Sequence, residues 1–241
     1  VWLNRGISMA NHVCSVSRKM YSFGMEMGYV QANPFSTFKC RTSKSRKVLW
    51  KPEQVMQFLN YAYLDFKTRN LGLIVQMAYE WCQRIGDMRM LKFEYIDFDK
   101  GILNLEQSKR RATVHLPISN ELLEMLVQQK EDYGFQEYVV PYPKAVGGVY
   151  KPYGLHALSK VARKAITDAG LPNELRLADL RRTGTTEMVE AGVSMGQIMA
   201  VTGHANPNSV MPYMKNTYKS ADRALTTRKS FATSTRQVHN S

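Results

Sequence analysis

The sequence has few cysteines and few acidic residues, and it has no long hydrophobic run. No stretch reaches the roughly 18 consecutive apolar residues of a membrane span, and no secretory signal is visible, which excludes membrane-spanning classes. The three cysteines, Cys14, Cys40 and Cys82, lack the spacing of a metal site, so reduced thiols in a cytosolic protein are predicted. No carboxylate cluster suited to a metal ion is visible. Because the chain opens on Val1 rather than methionine, we expect a fragment of a longer protein.

Basic residues dominate the charge. Lysine and arginine number 33 against 20 acidic residues, which gives a net charge of +13. A chain this basic attracts polyanions, and nucleic acid is the expected partner, although a generically basic soluble protein would have the same composition. The 241 residues, 44% of them hydrophobic, are enough to build a sizeable core.

Hydrophobic periodicity predicts a mainly α fold with a small antiparallel β-sheet, an α+β arrangement. Apolar residues at helical spacing predict a first helix over 8–29, and Asn33-Pro34 ends that region. Alternating segments predict three strands, at 91–97, 102–107 and 112–117. Gly192 and Gly203 mark helix ends. A second helix is predicted to begin at Pro52. The other predicted helices cover approximately 69–82, 119–131, 154–170, 178–191, 195–202 and 206–218.

A basic segment rich in Ser and Thr separates two helical regions and has the composition of a linker. We place that linker at 43–51, between a first domain at 1–42 and a second at 52–230, with a tail at 231–241. Its cations are either simply solvated or in contact with backbone phosphates. They include Lys44, Arg46 and Lys47.

Five residues far apart in the sequence form a set that can attack a phosphodiester without a metal ion. They are Arg84, Lys109, Arg181, His204 and Tyr213. Arginine is permanently charged, and its paired donors match the phosphate oxygens on which charge builds during attack. Lysine can release a proton when neighbouring cations lower its pKa, and a tyrosine phenol can act as a nucleophile in a cationic site.

Two runs of sequence resemble the tyrosine recombinases, also called the phage integrase family. The first is Arg84-Ile85-Gly86-Asp87 continuing to Asp97. The second extends from Asp179 to Tyr213 and includes Thr202-Gly203-His204. The resemblance covers about residues 48–230 as a catalytic domain, and it implies that 1–42 is the end of a helical core-binding domain.

The resemblance implies a role for each residue of the set. Arg84 and Arg181 would clamp the scissile phosphate, and Lys109, at the tip of a hairpin, would protonate the leaving 5′ oxygen. His204 would hydrogen-bond the phosphate and assist with the nucleophile's proton, while Asp87 would orient the clamp. Tyr213 would be the nucleophile, with Tyr218 as the nearby competitor. Further DNA contacts are expected from Lys44, Arg46, Lys47, Arg110, Arg111 and Arg182.

One position departs from the family pattern. The second run usually begins with a histidine three residues before its arginine, and Ala178 stands there instead. Since an alanine side chain can neither donate nor accept a proton, His204 or water would have to take over. Otherwise the enzyme is slow, or the protein binds DNA without cutting it.

The resemblance therefore implies a site-specific recombinase that cleaves and rejoins DNA through a 3′-phosphotyrosyl link, without a cofactor or metal. It implies double-stranded attachment-site DNA as partner, a monomer in solution that becomes a homotetramer on DNA, and the nucleoid of a bacterial or phage-infected cytoplasm as location. Residues 219–241 would dock between neighbouring subunits or form a disordered basic tail. The alternatives are a degenerate, non-catalytic DNA-binding protein, a type IB topoisomerase or telomere resolvase, and, more distantly, a metal-dependent nuclease.

Overall fold

The computed structural model describes residues 2–42, 46–109, 111–214 and 218–238. The chain divides into two compact units, Val1–Lys47 and Val48–Ser241. The division falls inside the segment 43–51, which the sequence predicts as a linker. Lys44 of that segment lies outside the described residues.

The first unit is one helix and the chain that returns along it. Helix α1 is Trp2–Glu26, and it is interrupted at Gly6, where φ is 81°. The returning segment is tied down by side-chain amides, because Asn33 donates to the carbonyl of Arg18 and Asn11 donates to that of Arg41. The apolar residues of the predicted amphipathic face are exposed, namely Met9, Val13, Val16, Met20 and Phe23.

The second unit is mostly helical, which confirms the predicted fold class. Proline is tolerated in the first turn of a helix, and a helix begins at Pro52 as predicted. Gly192 and Gly203 follow helix ends in the left-handed conformation, also as predicted. The helices of this unit that the structure describes are α2 Pro52–Tyr63, α3 Phe66–Glu80, α4 Ile85–Met88, α5 Asn120–Tyr133, α6 Leu155–Asp168, α7 Leu180–Glu190, α8 Met195–Thr202 and α9 Tyr218–Val238.

Helix α3 is the centre of the hydrophobic core. Every residue from 70 to 78 is buried, so this part of the helix is enclosed on all sides, in agreement with a sequence that is apolar on most sides. It packs against α2, α4, α5 and α7. Because α3 leads into the Arg84 segment and α7 carries Arg181, their packing brings those two segments together.

The sheet has three antiparallel strands in the order β1-β2-β3, namely Ile96–Asp97, Ile102–Glu106 and Thr113–Pro117. Leu103 of β2 lies opposite Ile96 and Leu116, and all three are buried. The predicted strand over 91–97 is wrong for most of its length. Its middle is a 3-10 turn, Phe93–Tyr95, and its first residues bond instead to the backbone of Glu137 and Val139.

The predicted helix over 206–218 is also wrong. Two 3-10 turns, Pro207–Ser209 and Met211–Tyr213, occupy its described part. Pro212 lacks a backbone N–H donor, so a regular helix cannot continue from the first of these turns through the second. Beyond them, α9 extends to Val238, across residue 230, where the sequence places the start of a tail.

Candidate active site

Arg84 is positioned by a tight junction between α3 and α4. The helix α3 ends at Glu80, and Cys82 adopts a positive φ of 51° before Arg84 caps α4. Gly184 of α7 lies against this junction, since a Cβ added there would be 2.5 Å from the Cys82 sulfur. Only glycine permits that approach, and Gly184 is one turn beyond Arg181. The two predicted clamp arginines are therefore held on adjoining segments and line the same cleft.

Arg181 is 9% exposed and reaches from α7 toward the end of α8. Its Nη2 donates to the carbonyl of Thr202 at 2.7 Å and faces Nε2 of His204 at 3.2 Å. Its Nη1 is buried and has no hydrogen-bond partner among the described residues. Burial, and then the positive charge of Arg84, lower the pKa of the Arg181 guanidinium to about 10. The group is still charged at neutral pH and has a buried donor available for an anion.

His204 follows Gly203, which ends α8 with a φ of 67°. The Thr202 hydroxyl lies 2.7 Å from both the Ile198 carbonyl and Nδ1 of His204. Because the carbonyl can only accept, the hydroxyl donates to it and accepts from Nδ1–H. This assignment leaves Nε2 unprotonated, so that it accepts from Arg181.

Tyr213 ends the second 3-10 turn and is half-buried. Its ring centroid lies 6.3 Å from that of His204. A negative charge on the Tyr213 oxygen would raise the pKa of Arg181, so the phenol lies within the electrostatic reach of that cation. The structure thus brings together Arg84, Arg181, His204 and Tyr213, whose positions in the sequence span 130 residues.

Lys109 is exposed in the turn between β2 and β3 and does not line the cleft that contains the arginines. The base of its hairpin is held to α4, because Ser108 donates to Oδ1 of Asp87 from both its hydroxyl, at 2.5 Å, and its backbone N–H, at 3.2 Å. Oδ2 of Asp87 lies 3.7 Å from Nη1 of Arg84. The buried Asp87 carboxylate therefore joins the Lys109 hairpin to the first arginine.

Of the other predicted DNA contacts, two lie in the described part of the second unit. Arg111 is exposed in the hairpin with a φ of 50°, and Arg182 is half-buried on α7. Arg46 and Lys47 belong to the first unit. Lys44 and Arg110 lie outside the described residues.

A cleft of about 380 Å³ opens beside the two arginines. Ala178, at the position of the family histidine, is exposed and lines this cleft together with Arg84 and Arg181. Arg163 and Arg176 add two further cations that sequence reasoning missed. Among the described residues, no acidic side chain lines the cleft, so it favours an anion. Among the described residues, no group of three or more His, Cys, Asp or Glu side chains is placed to hold a metal ion.

Sequence reasoning also missed two buried glutamines beside the predicted residues. Gln83 precedes Arg84 and Gln107 precedes Ser108, and both are 0% exposed. Gln107 accepts a hydrogen bond from Arg84 and donates one to Gln83. The only signal in the sequence was their position next to charged residues at the ends of apolar elements.

Comparison with known proteins gives one consistent family. The model of the phage integrase family matches residues 50–220. The virulence plasmid integrase pGP8-D of Chlamydia muridarum (strain MoPn / Nigg) is 27% identical over 146 residues, which cover 60% of this chain and 42% of that protein. The tyrosine recombinase XerA of Pyrococcus furiosus is 28% identical over 164 residues, which cover 64% of this chain and 52% of that protein. The chain thus spans about half the length of these relatives.

A similar fold occurs in a solved structure of a lambda integrase tetramer bound to a Holliday junction. The TM-score is 0.69 at 18% sequence identity, and the match covers 89% of this chain and 62% of that one. At this identity the likeness shows the fold. In the part of the chain that the structure describes, no helix is long and apolar enough to cross a membrane.

Proposed function

Because this chain belongs to the phage integrase family, we propose that it is a site-specific recombinase that cleaves and rejoins double-stranded DNA. One observation carries the proposal. Arg181 is buried with a free Nη1 donor among the described residues, and Arg84, His204 and Tyr213 surround it. A cationic site with an unused buried donor and a nearby phenol is suited to a phosphodiester.

In the proposed reaction, the phenol oxygen of Tyr213 attacks the scissile phosphorus. The bond from phosphorus to the 5′ oxygen breaks, and that oxygen takes a proton from Lys109 and leaves as a hydroxyl. The product is a 3′-phosphotyrosyl link that keeps the energy of the broken bond. Attack by the 5′ hydroxyl of a partner strand reverses the step and joins new strands. Arg84 and Arg181 stabilise the charge that builds on the two non-bridging oxygens.

The proton of the Tyr213 phenol is assigned to Nε2 of His204. That nitrogen accepts a hydrogen bond from Nη2 of Arg181 at 3.2 Å. It can take the proton because the assigned tautomer places the ring hydrogen on Nδ1. Ala178 offers no alternative acceptor, because its side chain carries no polar atom.

The proposed reaction needs neither a metal ion nor a cofactor, since the two arginines supply the positive charge. We further propose that the protein is a monomer in solution and a homotetramer on its attachment sites, near the nucleoid of a bacterial or phage-infected cell. The similarity to a lambda integrase tetramer bound to a Holliday junction supports this assembly.

A second candidate is a DNA-binding protein of the same family that does not cut. Ala178 favours this candidate, because the cleft beside both arginines has no proton acceptor at the position of the family histidine. The fold and the basic charge would be retained in such a protein.

A trapping experiment separates the two candidates. The protein is incubated with a pool of nicked duplexes of randomised sequence, in which the short strand released by cleavage diffuses away and prevents religation. Denaturing electrophoresis then shows a covalent adduct in the presence of EDTA if the recombinase proposal is right. Retarded DNA in a native gel without any adduct favours the non-catalytic candidate. An adduct that requires added magnesium contradicts the metal-free mechanism.

A further inference from the structure

The side chain of Gln107 lies between the two arginine-bearing segments. Its Oε1 accepts from Nη1 of Arg84 at 2.6 Å, and its Nε2 donates to the carbonyl of Thr202 at 2.9 Å. The same Thr202 carbonyl accepts from Nη2 of Arg181 at 2.7 Å. Three hydrogen bonds therefore connect Arg84 to Arg181 through one amide and one carbonyl.

The orientation of this amide is determined by its neighbours. A guanidinium has only donors, so the amide oxygen must face Arg84, and a carbonyl can only accept, so the amide nitrogen must face Thr202. The second N–H of Gln107 donates to Oε1 of Gln83 at 2.6 Å. Gln83 is fixed in turn by donating to the carbonyls of Trp81 and Val201. All the bonding capacity of the Gln107 nitrogen is used, so the side chain is held in one position.

The backbone around Gln107 is shaped to admit this amide. A Cβ added to Gly203 would lie 2.6 Å from Nε2 of Gln107 and 2.8 Å from its Cδ. The Gln107 backbone also closes the hairpin, since its N–H donates to Ala112 at 2.9 Å and its carbonyl accepts from Arg111 at 2.8 Å. The hairpin that carries Lys109 therefore starts from a residue fixed to both arginines.

The charge of the bridge matters as much as its geometry. The Asp87 carboxylate already lies 3.7 Å from Nη1 of Arg84 and is held by Ser108. A second carboxylate at position 107 would neutralise the clamp and repel a phosphate. An amide keeps the spacing of the arginines and leaves their charge for the ligand.

We propose that Gln107 is a positioning residue, a neutral bridge that fixes Arg84 and Arg181 relative to each other for one phosphate group without neutralising them. This proposal deepens the proposed function and rests on it for the identity of the anion, a DNA phosphate. Gln107 itself does not touch the reacting atoms.

Two substitutions separate the effect of geometry from that of charge, and a third is a control. Gln107→Met keeps the approximate volume and removes the bridge, whereas Gln107→Glu keeps an acceptor for Arg84 and adds a negative charge. The control is Glu106→Gln, which changes the exposed neighbouring residue. The first measurement is single-turnover adduct formation over a range of DNA concentrations. The second is binding of sulfate, as a probe anion, followed through the side-chain Nε–H signals of ¹⁵N-labelled arginine.

For Gln107→Met, the rate at saturating DNA should fall about ten- to a hundredfold, because small misplacements of catalytic groups have effects of this order. The half-saturating DNA concentration should stay within about twofold, because many other phosphates contribute to binding. For Gln107→Glu, sulfate binding should weaken on the order of a hundredfold, as expected for a like charge a few ångströms from the anion. Glu106→Gln should match the unsubstituted protein in both measurements.

Three outcomes would overturn the proposal. The first is a rate at saturating DNA in Gln107→Met that equals that of the unsubstituted protein. The second is a Gln107→Met protein in which only the half-saturating DNA concentration changes. The third is equal sulfate affinity in Gln107→Glu and Gln107→Met. The sulfate titration needs no DNA cleavage, so it tests the bridge even if no adduct forms with any substrate. If thermal melting shows that Gln107→Met does not fold, Gln107→Glu alone carries the test. Its sulfate affinity is compared with that of Glu106→Gln, and equal affinities would contradict the bridge.

Discussion

Arg181 and His204 contact each other directly, with Nη2 of the arginine 3.2 Å from Nε2 of the histidine. The Thr202 hydroxyl fixes the histidine tautomer from the other side of the ring, at 2.7 Å from Nδ1. The guanidinium therefore faces the ring nitrogen that we propose as acceptor of the Tyr213 proton. Nη1 of the same guanidinium has no hydrogen-bond partner among the described residues and is left for a phosphate, so one side chain links the proposed phosphate site to the proposed proton acceptor.

Replacing Arg181 with lysine tests the planar guanidinium. Lysine keeps the charge but cannot donate to the Thr202 carbonyl, His204 and a phosphate in fixed directions. Adduct formation by Arg181→Lys should fall by a factor of about 10²–10³, the typical effect of losing one preorganised donor. Single-turnover trapping on nicked DNA measures the rate. Arg228→Lys, an exposed change on α9, is the matched control and should leave the rate unchanged.

Gly203 should tolerate no side chain. Its φ of 67° disfavours L-residues, and a Cβ would lie 2.6 Å from the Gln107 amide nitrogen. We expect Gly203→Ala to lower the free energy of unfolding by about 2–4 kcal/mol, through backbone strain and overpacking together. Urea denaturation of the two proteins measures the difference.

Gly196 provides the control for that experiment. It lies in α8, and a Cβ added there would meet nothing within 4 Å. Alanine has the higher helix propensity, so Gly196→Ala should raise the free energy of unfolding by about 0.5–1 kcal/mol. Equal destabilisation by the two substitutions would mean that Gly203 is not in contact with Gln107.

Restoring the family histidine at Ala178 should speed cleavage. The position is exposed and lines the cleft beside both arginines, so an imidazole has room there. General-base assistance is typically worth about 10²–10⁴ in rate, but a site that already works with alanine should gain less, about tenfold. The gain should be largest below about pH 8, where deprotonation of a phenol is least favourable.

Single-turnover cleavage over a pH series spanning neutrality measures this gain. Ala178→Leu is the matched control, because leucine fills comparable space and carries no proton acceptor. Coincident pH profiles for Ala178→His and the unsubstituted protein would show that another group already accepts the proton.

Much of the fold can be predicted from the sequence, because local chemistry decides it. The proline at position 52 and the glycines at 192 and 203 mark helix boundaries through restrictions on their own backbone. The predicted strand over 91–97 is wrong for most of its length because its first residues form hydrogen bonds with residues 137–139 instead, and no local sequence pattern indicates that pairing. The predicted helix over 206–218 is wrong because Pro212 cannot donate the backbone hydrogen bond that a regular helix needs at that position.

The candidate site likewise has residues that the sequence predicts and residues that depend on long-range packing. The residue types and their spacing, which match the family pattern, predict four site residues that the structure brings together: Arg84, Arg181, His204 and Tyr213. Gln107 carries no such signal, because a glutamine at a strand end is ordinarily a solvated residue. Its role depends on the absence of a side chain at Gly203, which is 96 residues away in the sequence. Long-range packing of this kind has no local sequence pattern.

Tyr213 is the residue that we propose to form the covalent link to DNA. Protein trapped on nicked duplexes can be digested with trypsin and nuclease, and the residue that carries the remaining nucleotide can be located by tandem mass spectrometry. We predict that the nucleotide is on Tyr213, that Tyr213→Phe forms no adduct while its DNA affinity is nearly unchanged, and that Tyr218→Phe still forms the adduct. A nucleotide on Tyr218, or an adduct that persists in Tyr213→Phe, would contradict the account.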